Sequence, residues 1–191
     1  MKKMKITFLA LCLMAVPVFF TSCEDDFGTI EKSLGEMPIT IPIELVNTPT
    51  KGGDMVSFFG VSDPISLEGE MFDMLQQYNA KSITLSVSAV TMKITTINES
   101  GTTVRDFKTN TTGDGVEYTY TKEGDINFDE EFTDSELTNY MQNVMLAIQE
   151  GKTVIVSAEG LTDIIADEVT GLNVIVATII PTVTAKIQLI K

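Results

Sequence analysis

The chain has no histidine and no tryptophan, and its 191 residues include only two cysteines, Cys12 and Cys23. Without an imidazole there is no Ser-His-Asp or Cys-His catalysis and no histidine-ligated zinc. Cys12 sits inside the N-terminal apolar run, so the rest of the chain carries a single thiol and cannot close a disulfide on itself. Flat aromatic platforms are also scarce: only Tyr78, Tyr118, Tyr120 and Tyr140 supply tyrosine rings. That lowers the weight of a glycan-binding face without removing it. Positive charge is short as well, 13 Lys and Arg against 27 Asp and Glu. A surface of that sign repels phosphate backbones, so nucleic acid is not an expected partner.

What is present begins with a leader. Lys2, Lys3 and Lys5 precede an apolar stretch from Ile6 to Phe20, broken only by Thr7 and Pro17. At about 1.5 Å per helical residue it reaches roughly 22 Å, short of the ~30 Å hydrocarbon core. Such a length with such flanks marks a secretory signal peptide and not a membrane-spanning helix. The apolar run stops at Phe20-Thr21-Ser22-Cys23 and turns acidic at Glu24-Asp25-Asp26. Removing residues 1–22 leaves 169 residues, enough for one domain with a core. The three lysines leave with the leader, so 10 basic residues face 27 acidic ones, a net charge of −17.

Thr21-Ser22-Cys23 resembles the lipobox of bacterial lipoproteins, with Phe20 where leucine is usual. The resemblance implies cleavage before Cys23 and acylation of its sulfur, hence a membrane partner through the lipid. Several acyl chains anchor stably where one binds only marginally. Glu24-Asp25-Asp26 resembles the acidic sorting signal of surface-exposed lipoproteins of the Bacteroidota, which implies the outer face of the outer membrane. In enterobacterial sorting an acidic residue after the cysteine favours retention at the inner membrane, so that destination and the periplasmic face stay open.

Periodicity organises the remainder. Residues 23–36 read as a lipidated acidic tether and residues 37–191 as one domain. Ile39, Ile41, Ile43 and Leu45 alternate with polar or proline positions, a half-buried strand that Pro38 and Pro42 assign to a sheet edge. Val56 to Val61 is a short apolar strand. Met71, Met74, Leu75 and Tyr78 fall at helical spacing within Leu67–Tyr78. Ser82 to Thr96 alternates cleanly but slips phase near Ala89-Val90, the mark of a β-bulge. Strands follow near Thr103–Thr109 and at Val116–Tyr120, with Gly113-Asp114-Gly115 as the turn between them. Leu137, Met141, Val144, Met145 and Ile148 form a helical stripe, with Thr133 and Glu136 as capping box and Gly151 past its end. Thr153–Ala158 is a further strand, and Leu172 to Ile190 makes two strands or one bent one around Pro181. About seven short strands and two short helices predict a mainly β fold, an antiparallel Ig-like β-sandwich. The pattern resembles small Ig-like lipoproteins of the Bacteroidota, and that resemblance carries no catalytic signature.

Two constellations could carry chemistry. Asp125, Asn127, Asp129, Glu131 and Glu136 occupy positions in a twelve-residue frame that resembles an EF-hand Ca²⁺ loop. Glu130 replaces the sharp-turn glycine, and Glu136 already serves a helix cap, so solvated acids at a helix N-terminus are the simpler reading. Carboxylate pairs such as Asp129 and Glu130, or Asp163 and Asp167, suit glycosidic chemistry on spacing alone, but 27 acids produce such pairs by chance. Met71, Met74, Met141 and Met145 belong to helix stripes and read as core. The expectation is a non-catalytic, lipid-anchored envelope protein that binds an unidentified protein partner. Its alternative is an accessory glycan-binding lipoprotein of an outer-membrane uptake system. Apart from the lipid on Cys23, no cofactor is expected.

Overall fold

A computed structural model describes residues 28–46, 55–96, 103–164 and 175–190. Cys23, Glu24, Asp25 and Asp26 lie outside the described residues. In chain order the elements are β1 (Thr29–Glu36), β2 (Ile39–Leu45), β3 (Val56–Val61), α1 (Glu68–Gln77), β4 (Ala80–Thr96) and β5 (Thr103–Gly113). They continue as β6 (Val116–Thr121), β7 (Ile126–Asn127), β8 (Glu131–Phe132), α2 (Ser135–Gln149), β9 (Ile155–Thr162) and β10 (Ile175–Leu189).

The fold is mainly β and antiparallel, as expected, with two helices. The expected sandwich of two stacked sheets is not what the ladders form. All ten strands join one sheet, ordered β6-β5-β9-β3-β2-β10-β4-β8, with β1 beside β10 and β7 beside β5. The sheet curls into a half-barrel. Long strands explain this: β10 runs along β4 for its whole length and carries β2 and then β1 in series on its other side. Twist accumulating over such strands bends the sheet onto itself. A bulge at Ser88, where Val87 and Ala89 face Val183 and Thr182, adds to the bend close to the predicted phase slip. Inside the curl α2 takes the place of a second sheet. Its Leu137, Met141, Val144, Met145 and Ile148 are buried in one core with Leu85, Val90 and Met92 of β4, and the helix packs on β4 and β6.

β2 is not an edge strand, which corrects the reading drawn from its prolines. It lies between β3 and β10. The β3 ladder begins only at Ile43, and Val46 donates its N–H to Ser57 on β3 at 2.8 Å. Backbone groups alternate sides along a strand, so the missing N–H of Pro42 points to the β3 side just before that ladder starts. Pro181 is accommodated in the same way within one continuous β10. Its carbonyl accepts from Met37, and its missing N–H falls in the gap between the β2 ladder, which ends at Ile179, and the β1 ladder, which starts at Thr182.

Most of the segment read as a tether, residues 23–36, is not one. Residues 29–36 form β1, paired with β10 from Thr29 opposite Gln188 to Glu36 opposite Thr182. Only Ile30 and Leu34 give it an apolar face, and both are half-buried. So weak an alternation hides a strand among polar residues.

α1 matches its predicted stripe, with Met74 buried and Met71, Leu75 and Tyr78 packed on the core. The end of α2 matches too. Gly151, at φ 80°, donates to Ile148, and Lys152 donates to Ala147, the paired bonds of a Schellman motif. Its start is corrected by one residue. The N-cap is Asp134, whose Oδ1 accepts the Leu137 N–H at 2.6 Å, so Thr133 and Glu136 do not form the capping box.

Candidate functional site

β4 and β6 stand towards opposite ends of the strand order, yet α2 packs against both. The helix therefore spans the open seam of the half-barrel. The two strand edges that face it are treated differently.

On the β4 side, glutamines from α2 occupy the backbone. Gln142 accepts the Val87 N–H at 2.8 Å and donates to the Leu85 carbonyl at 3.1 Å, while Gln149 accepts the Leu85 N–H at 2.7 Å. Further along, β8 pairs with Met92 and Lys93, and Asp129 donates its N–H to Ile94. Side chains and a short strand thus blunt this edge.

Among the described residues, no strand pairs with β6 on the side away from β5. Lys122 donates its N–H to Phe107 on β5 at 2.9 Å. By alternation Tyr120 and Tyr118 also turn their backbone groups to β5, and Glu117, Thr119 and Thr121 turn theirs away from it. Beside that edge lies a cleft of about 550 Å³ between β6 and α2. Its helix wall presents Glu136, Asn139, Tyr140 and Asn143, at the spacing of one helix face. Among the described residues, neither the Asn139 nor the Asn143 amide has a hydrogen-bond partner.

The floor is rigid and polar at its centre. The Tyr120 and Tyr140 rings meet at 6.1 Å between centroids, tilted by 39°. The Tyr140 hydroxyl is hydrogen-bonded to the buried Thr109 and Thr111 hydroxyls. Tyr120 donates to Asp134 Oδ2, which Lys122 Nζ approaches at 3.9 Å. Burial, then the bond to Asp134 and its charge, hold the Tyr120 phenol far above its ordinary range. Burial likewise raises Tyr140, against the opposing pull of its two threonine bonds. Both phenols therefore stay protonated at neutral pH and serve as hydrogen-bonding groups and apolar floor, not as bases.

The acids of the calcium-like frame are not brought together. Asp125 pairs with Arg105 at 3.2 Å, and Asn127 donates to Glu130 at 2.7 Å. Asp129 lies 4.0 Å from Lys93, Glu131 is exposed on β8, and Glu136 stands in the first turn of α2 beside the cleft. Among the described residues, no three His, Cys, Asp or Glu side chains group so as to hold a metal. The segment is instead a strap. β7 pairs with β5 and β8 pairs with β4, so residues 125–132 tie together the two flanks of the seam. Of the carboxylate pairs, Asp129 and Glu130 have those separate partners, and Asp163 accepts the Thr103 N–H at 2.9 Å; Asp167 lies outside the described residues.

The residues that shape the seam, Asp134, Tyr120, Gln142, Gln149, Asn139 and Asn143, were not singled out by sequence. Only position marked the last four: they lie off the apolar stripe of α2, two turned to each flank. No protein-family model, curated protein or solved structure matches the chain.

Proposed function

We propose that this is a lipid-anchored, non-catalytic cell-envelope protein that holds a partner protein at the outer-membrane surface. The observation that carries the anchor is the lipobox-like Thr21-Ser22-Cys23 at the end of the apolar run, and Cys23 stands close in sequence to the folded domain. β1 begins at Thr29, six Cα steps beyond Cys23. At about 3.5 Å per residue the connection spans at most roughly 20 Å. Acyl chains on Cys23 would therefore hold the domain against the membrane and not on a long leash. The acidic Glu24-Asp25-Asp26 motif supports export to the outer face. The partner reading is supported by a cleft whose wall and edge offer hydrogen-bonding groups, backbone and amide.

Metabolic labelling with a clickable fatty acid tests the anchor. The wild-type protein should take up label and fractionate with membranes, and Cys23→Ala should do neither. Equal labelling of the variant would overturn the reading.

A further inference from the structure

The seam of the half-barrel has one finished flank and one unfinished flank. Along β4, three backbone groups are satisfied by Gln142 and Gln149. Along β6, the groups of Glu117, Thr119 and Thr121 point outwards, and the helix face opposite them carries the two unengaged amides of Asn139 and Asn143. Burying such an edge against a helix would need every backbone group paired. Here a cleft of about 550 Å³ borders the edge, where an added strand would lie about 4.8 Å from β6.

The charge around the cleft selects among occupants. Glu117, Glu123 and Glu136 line it, and none has an ion pair among the described residues. A second copy of this chain would bring the same acids to the same edge, so self-pairing across β6 is opposed by like charge. Basic side chains on an incoming strand would meet acid at this edge.

We propose that β6 accepts an added strand from a partner protein, an extended segment with Lys or Arg at alternate positions. It would pair with the outward backbone groups of Glu117, Thr119 and Thr121 and lie across Asn139 and Asn143. Main-chain bonds give such strand addition its affinity, and alternate side chains give its specificity. This rests on the partner-binding reading above and names the surface and the partner's chemistry.

The test uses the mature lipidated protein in detergent and end-blocked peptides of alternating valine and lysine. Backbone amides of Glu117, Thr119 and Thr121 should gain protection from hydrogen exchange, and those of β1 should not. The same peptide methylated at every backbone nitrogen, or with glutamate for lysine, should bind at least about tenfold more weakly, ~1.4 kcal/mol. Thr119→Pro removes an outward backbone donor and, with its side chain, the hydroxyl bond to Asn110 on β5 at 2.9 Å; Thr119→Val loses only that hydroxyl bond, so the proline should weaken binding similarly while the valine binds as wild type. Equal binding of the methylated or the glutamate peptide would overturn the proposal, as would protection confined to another edge or concentration-dependent dimerisation through β6. Fatty-acid labelling is read separately, so loss of the anchor reading and loss of this one are distinguishable. A partner recovered from intact cells by wild type and Thr119→Pro alike, with no peptide binding, would leave partner binding standing and remove the β6 edge as its site.

Discussion

Gln142 of α2 brackets Ser86 on β4, donating to the Leu85 carbonyl at 3.1 Å and accepting from Val87 at 2.8 Å. A helix side chain thus stands in for a neighbouring strand. Gln142→Leu keeps the volume and removes both bonds, leaving part-buried backbone groups without partners. Each such group costs about 1–3 kcal/mol, discounted here because water reaches this edge. We expect a loss of about 1–3 kcal/mol in urea unfolding, with Asn139→Ala on the open flank nearly neutral. Equal effects at the two positions would mean that the β4 edge is no more dependent on α2 than the β6 edge.

Asp134 serves two elements at once, capping α2 through Oδ1 and accepting Tyr120 through Oδ2. Asp134→Ala removes a cap worth about 1 kcal/mol and leaves a largely buried phenol without its acceptor, a further ~1–3 kcal/mol. Thr133→Ala should cost under about 0.5 kcal/mol, as for an ordinary exposed position. Asp125→Ala removes an ion pair whose partners are 52% and 51% exposed, worth at most about 1 kcal/mol. Denaturant midpoints of the three variants give the order directly. A larger loss for Thr133→Ala than for Asp134→Ala would restore the capping box predicted from sequence.

Elements whose faces differ sharply were legible from the sequence: β2, β3, β4 and α2 all carry strict apolar alternation or a clear stripe. So was the bulge in β4, because a phase slip flips apolar residues across the sheet. β1 was not, since an edge strand with only Ile30 and Leu34 packed inward barely departs from a polar linker. The single sheet was hidden for a different reason. Seven strand signals and two helices fit either a sandwich or a half-barrel, and the choice depends on which partners β10 takes along its length. The prolines misled because side of strand, not position in sheet, decides whether a missing donor matters. The open β6 edge was invisible because unpaired backbone leaves no trace in side-chain periodicity.

The two buried phenols make stability depend on alkaline pH. Both have folded pKa values raised above the ordinary tyrosine value of 10.0. The unfolded chain therefore loses these protons first, and the stabilisation, complete below about pH 10, declines as pH rises from there towards the folded values. Tyr140→Phe should flatten the fall of unfolding free energy with pH above about 10, while costing on the order of 1 kcal/mol at neutral pH for the lost threonine bonds. An unchanged alkaline slope would show that Tyr140 ionises as readily in the folded protein as in the unfolded one.

The strap between β7 and β8 predicts indifference to calcium. Each candidate ligand from Asp125 to Glu131 is either in another contact or turned to solvent on a separate strand. Millimolar Ca²⁺ should leave the melting temperature unchanged. Binding at 100 times the dissociation constant would instead add roughly 2.7 kcal/mol, an upward shift that Asp125→Ala would erase.

Two deletions separate a tether from a strand. Removing residues 24–27 should leave the urea midpoint unchanged, because the contacts with β10 begin at Gly28, whose carbonyl accepts from Leu189, and β1 itself starts at Thr29. Removing residues 29–36 strips β10 of its ladder from Thr182 to Gln188 and uncovers the contacts of Ile30 and Leu34. Lost hydrogen bonds at about 1 kcal/mol each and two half-buried side chains put the cost on the order of 3–5 kcal/mol. Hydrogen exchange gives a sharper signature. Leu189 donates its N–H to Gly28, so by alternation the amides of Val183, Ala185 and Ile187 face β1, and those of Thr184 and Lys186 face β4. In the larger deletion the first three should exchange faster while the other two stay protected. Uniform protection along β10, with an unchanged midpoint, would mean that residues 29–36 contribute nothing to the fold and belong to the tether.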